Sequence, residues 1–168
     1  MLMRNRPLRA GAHALLEVVD ARNRPFCHLA APLVREQRLA HRQVCLLVRA
    51  GDGILLARSA EGWDIFAREA VPAGDSVQEC AERLARRQEL DNGRLRELGV
   101  LPPCPATGQA FVSLFSVRVT PSRLRLLAED AATRLVLDQA ELFGLARHGG
   151  DLLSPLLRHA LLESGLLR

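Results

Sequence analysis

The chain has 168 residues, enough for one domain whose core buries roughly two thirds of the unfolded surface. Hydrophobic residues at 48% and charged residues at 25% exclude a disordered or fibrous chain. No Lys occurs, so the formal net charge of +4 is carried by Arg, whose planar fork suits phosphate; with aromatic residues at only 4%, a base-stacking nucleic-acid surface is not expected.

The four cysteines, Cys27, Cys45, Cys80 and Cys104, form no C-x-x-C pair and have no clustered His partners, so a zinc site is not expected. Cys45 and Cys80 sit inside apolar patterns, and reduced thiols in a cytoplasmic setting are the simplest reading. Glu17 and Asp20 break the apolar stretch at 12–19 before a cleavage site could follow, and no run of about 18 apolar residues occurs, so neither export nor a membrane span is expected.

After a polar arm, 14–19 (ALLEVV) reads as a short strand and 20–25 (DARNRP) as a turn, while 26–39 gives no clear pattern. The apolar runs 44–48 (VCLLV) and 54–57 (ILLA) flank Gly51-Asp52-Gly53 and predict a hairpin. Ser76 opens the clearest helix. Val77, Cys80, Ala81, Leu84 and Ala85 recur on one face, Ser76 with Glu79 forms a capping box, and Asn92-Gly93 is the expected stop. Beyond the loop 102–108, the run 111–119 (FVSLFSVRV) is a long strand, with 123–127 (RLRLL) as a candidate pairing partner. Residues 135–137 lead into a helix capped by Asp138, and Ser154-Pro155 opens the last one.

Residues 63–90, WDIFAREAVPAGDSVQECAERLARRQEL, resemble without gaps the stretch of isopentenyl-diphosphate-isomerase-like Nudix proteins that reads W-D-I-S-A-A-G-H-V-E-A-G-E-S before a helix carrying R-E-x-x-E-E. Flanking segments follow in family order: EVVD at 17–20, His41-Arg42, GILLAR at 53–58, FVSLF at 111–115 and LVLDQAEL at 135–142. The resemblance implies an α/β (α+β) fold, a Nudix-type mixed β-sheet sandwiched between helices, here over residues 13–168 behind an N-terminal arm at 1–12. It also implies Mg²⁺ or Mn²⁺ as cofactor and a nucleoside diphosphate-linked or other phosphorylated small molecule as substrate, and it leaves a homodimer open.

Departures from the family pattern concentrate in its catalytic box. Glu69 stands for the opening Gly, Asp75 for the Glu that closes the loop, and Leu90 for the closing Gly; Arg83 matches the box Arg. The three helix glutamates that would hold metal have become Leu84, Arg87 and Gln88, so no metal ligand set is carried over. Hard divalent cations need converging carboxylate oxygens, and exchanging three acids for one base and two neutral groups shifts the local charge by about four units. On this resemblance Asp75 and Arg83 are the remaining catalytic candidates, with Glu79 and Glu82 as substitute carboxylates and Arg58 and Arg87 as phosphate ligands. Each also has a plain reading as loop chemistry or solvated charge. His41 aligns with a metal-binding histidine of isomerase relatives but has no partner histidines, and no N-x-C-x-H-P segment supports isomerisation. Two functions fit: a hydrolase with impaired or atypical catalysis, and a non-catalytic module binding a phosphorylated ligand or a protein.

Overall fold

The architecture is organised around one strand, β3 (His41–Ala50), because VCLLV is apolar on both faces and can be buried from both sides. A computed structural model of the protein describes residues 14–90, 94–165 and 167. The arm expected at 1–12 and the Asn92-Gly93 helix stop lie outside the described residues. Strand β1 (Leu15–Val19) pairs antiparallel with β2 (Pro25–Ala30), which fills half of the unassigned stretch; the other half is the short helix α1 (Ala31–Glu36). β2 is an edge strand opening on Pro25, the position where a residue without an amide proton is tolerated.

The hairpin forms as its turn residues predict: β3 and β4 (Gly53–Ser59) pair antiparallel across Gly51-Asp52, with Ala50 opposite Gly53. β4 then pairs with β5 (Gly62–Ile65), and β6 (Ala67–Ala70) returns to β3. Helix α2 (Val77–Arg87) carries the predicted capping box, Ser76 accepting from the Glu79 amide and Glu79 accepting from the Ser76 amide. It ends earlier than the Asn92-Gly93 signal implies. Glu89 adopts a left-handed φ of 55°, the Leu90 amide donates to Ala85 O and that of Glu89 to Arg86 O, and the buried Leu90 side chain seals the terminus.

β7 (Leu95–Leu101) pairs antiparallel with β8 (Ala110–Arg118), and β8 runs parallel to β3 over nine residue pairs from His41–Ala110 to Arg49–Arg118. Residues 123–127 do not pair with β8, correcting the expectation of a strand there: they lie in helix α3 (Pro121–Leu127), where Thr120 caps the Arg123 amide, Pro121 fixes the first turn and Leu124 is buried. β9 (Arg134–Leu137) pairs with β4 and leads into α4 (Gln139–His148), capped by Asp138 and Glu141. Ser154 caps α5 (Pro155–Leu162).

Alternation along β3 and β8 divides the core. Val44, Leu46, Val48, Phe115 and Val117 pack under α2 and α3, while Cys45, Val112 and Leu114 pack under α4 and α5. The result is the expected mixed sheet held between helices. α1 covers a smaller cluster on β1.

Candidate functional site

The segment from β6 to the end of α2 places the motif residues around one corner of the sheet. β6 presents Glu69, a turn closed by the Asp75 amide on Pro72 O presents Asp75, and α2 presents Arg83 and Arg87 one turn apart. The Arg83 Nη1 atom is 2.6 Å from Asp75 Oδ2, both side chains about one third exposed, and the neighbouring carboxylate raises the Arg83 pKa. Arg87 forms a two-pronged ion pair with Glu69. The pair joins two residues that the sequence resemblance reads as departures from the family pattern.

Leu84 is 2% exposed and belongs to the core under α2, with Cys80, Ala81 and Ala85. Burial pushes the Cys80 thiol up to about 11, with Glu69 adding to the rise. Gln88 is the C-cap residue of α2. Glu79 and Glu82 are exposed. Glu79 is committed to Ser76, whose backbone and side-chain hydrogen bonds lower its pKa, and Glu82 accepts from Gln78 at 2.8 Å. Among the described residues no three His, Cys, Asp or Glu side chains converge as a metal-binding group. The two nearest carboxylates, Glu69 and Asp75, each face a guanidinium, so this donor set does not fit a divalent cation.

The adjoining cavity, about 540 Å³, lies on the other face of the sheet. His41, Gln43, Arg68 and Glu69 line it together with the turn at 105–108 and Pro155, and no residue of α2 does. His41 is buried with Nδ1 2.9 Å from Leu39 O. Arg58 lies elsewhere: its guanidinium stacks 5.2 Å from the Trp63 ring centroid on the β4–β5 hairpin.

Two constellations escape a reading of the sequence. Asp64 is only 3% exposed; it accepts from Ser154 Oγ at 2.6 Å and from the Ile65 amide at 2.8 Å, and lies 3.4 Å from Arg68 Nη1. It ties β5 to the start of α5 beneath the cavity, and an acid between Trp63 and Ile65 is its only trace in sequence. Cys104 Sγ lies 3.8 Å from His159 Nε2, whose Nδ1 is 2.8 Å from Glu163. Fifty-five residues separate Cys104 from His159, so no local signal announces them.

The arrangement is similar to that of a solved Nudix protein, DR0079. DR0079 from Deinococcus radiodurans, as a crystal structure, is 21% identical over 86% of this chain and 97% of its own, with a TM-score of 0.61. Its solution structure, described as a hypothetical Nudix protein, gives 20% identity over 94% and 99%, with a TM-score of 0.52. A MutT/Nudix family protein from Listeria innocua is 21% identical over 62% of this chain and 81% of its own, at a TM-score of 0.49. No family model and no curated protein matches the chain. The likeness establishes a Nudix fold.

Proposed function

We propose that this protein is a Nudix-fold module that binds a phosphorylated small molecule and does not carry out metal-dependent hydrolysis. The observation that supports it is the pairing of Glu69 with Arg87 and of Asp75 with Arg83, with Leu84 in the core and Glu79 and Glu82 bonded to Ser76 and Gln78. A divalent ion would have to displace an arginine to gain each carboxylate. At an effective dielectric of about 20, every missing or reversed charge a few Å from such an ion costs several kcal/mol. Without any contribution from α2, the 540 Å³ cavity presents Arg35, Arg68, His41 and Gln43 to a small anionic ligand, beside Glu61 and Glu69 and with Arg68 also 3.4 Å from Asp64.

The other reading is a weak or atypical hydrolase of a diphosphate compound, using Asp75 and Arg83 with Glu79 or Glu82; the shared fold favours it. A turnover screen separates the two. Nucleotide sugars, dinucleotides and nucleoside triphosphates are incubated with the full chain and Mg²⁺ or Mn²⁺. We expect no product above the metal-free control. Turnover that EDTA abolishes and Asp75→Asn removes would overturn the proposal.

A further inference from the structure

At the far end of β3 from the motif, three arginines share one face of three neighbouring strands and a fourth, Arg94, directly precedes β7. Arg49 on β3 is the direct partner of Arg118 on β8, and on the next row Arg96 on β7 stands opposite Ser116. Continuing that antiparallel register places Arg94 beside Arg118. All four line one cavity of about 390 Å³ with Leu95, Leu98 and Ser116. Neighbouring strands are about 4.8 Å apart, and residues two apart on a strand are separated by about 6.6 Å, so the guanidiniums rise from a compact grid.

None of the four has a side-chain hydrogen bond or ion pair among the described residues. Glu97 lines the adjoining cavity together with Arg49 and Arg96 but forms no ion pair with either. Like charges on neighbouring strand positions destabilise a sheet, and here no ion pair to a carboxylate among the described residues relieves it. Guanidiniums bind phosphate oxygens in a bidentate fork, and several around one concavity match a ligand with more than one phosphate group. The cavity is too small for a folded polymer, and aromatic side chains for base stacking do not line it.

We propose that Arg49, Arg94, Arg96 and Arg118 form a binding site for a small oligophosphate, distinct from the cavity beside Glu69. The assignment does not rest on the reading of that cavity. A site of this kind has a signature that a solvated patch lacks: its cations repel one another until the anion arrives. Removing two of them therefore stabilises the empty protein while abolishing the response to ligand.

The test is calorimetric titration of the full chain with inorganic tripolyphosphate, alongside thermal melting with and without it. Wild type should bind at one site and melt several degrees higher with the anion. Arg94→Gln/Arg118→Gln, which changes two exposed side chains, should weaken binding at least tenfold. It should also melt at or above the wild-type temperature without anion and lose most of the anion-induced rise. Arg68→Gln, in the other cavity, should bind as wild type does. Undiminished binding by the double variant overturns the site. Loss confined to Arg68→Gln moves oligophosphate to the cavity beside Glu69. Tighter binding of a single-stranded oligonucleotide than of tripolyphosphate overturns the small-ligand assignment.

Discussion

Leu84, which the sequence resemblance sets at a carboxylate position, is surrounded by apolar side chains. Packed at 2% exposure with Phe66, Val71 and Phe115 in its cluster, it contributes as any buried leucine does. Leu84→Ala should lower unfolding free energy by about 2–5 kcal/mol in urea denaturation. Leu84→Glu should be worse, because a carboxylate there would be buried without a cation. A loss below about 1 kcal/mol for Leu84→Ala would show the side chain to be outside the core. The periodicity of Val77, Cys80, Ala81, Leu84 and Ala85 made this burial legible in the sequence. What the sequence could not give was the partner of each charge. Arg83–Asp75 spans eight residues and Arg87–Glu69 eighteen, and such pairs follow from how β6 sits against α2 rather than from spacing. The exposed Arg87–Glu69 pair stabilises the fold by about 1 kcal/mol at most. The consequence of both pairs is electrostatic: they neutralise the corner that a cation would need.

At the scale of elements, readable segments were those whose own residues carry the signal. Capping boxes at Ser76–Glu79 and Asp138–Glu141, Ser154-Pro155, and the Gly51-Asp52-Gly53 turn each satisfy their backbone locally, and each element forms where they stand. Segments that depend on a neighbour were not readable. β7 (LRELGVL) has its alternation broken by an irregularity between Glu97 and Gly99 and owes its conformation to β8. Residues 123–127 alternate like a strand, yet Thr120 and Pro121 start a helix that buries Leu124. α2 stops on Glu89 because the buried Leu90 fixes the chain direction there, which no helix-breaking residue announces. The β4–β5 hairpin holds a further constraint. Gly62 has φ +119°, and a Cβ on it would stand 2.5 Å from the Leu152 carbonyl oxygen. Gly62→Ala should therefore cost at least about 2 kcal/mol, from backbone strain plus overpacking against the segment that leads into Ser154. Thermal denaturation measures this directly, and a variant as stable as the parent would mean that Leu152 does not approach Gly62 so closely.

For the whole molecule, a Nudix fold carries at residues 69–88 two acid–arginine pairs, Glu69 with Arg87 and Asp75 with Arg83. The sheet with helices on both faces was legible from the order of segments around residues 63–90, and the structural likeness to DR0079 agrees with it. Two cavities on the α4–α5 face, one beside Glu69 and one lined by four arginines, emerge only when strands distant in sequence are laid side by side. The net charge of +4 is consistent with anionic ligands, and the four arginines of the second cavity lack a side-chain partner among the described residues. No helix among the described residues is long and apolar enough to cross a membrane. The corner formed by Glu69, Asp75, Arg83 and Arg87 is where uptake of a divalent ion decides between hydrolase and binding module. Calorimetric titration of the full chain with Mn²⁺ at neutral pH answers this most directly. The account predicts no binding tighter than millimolar; a micromolar site that vanishes in Asp75→Asn would contradict it.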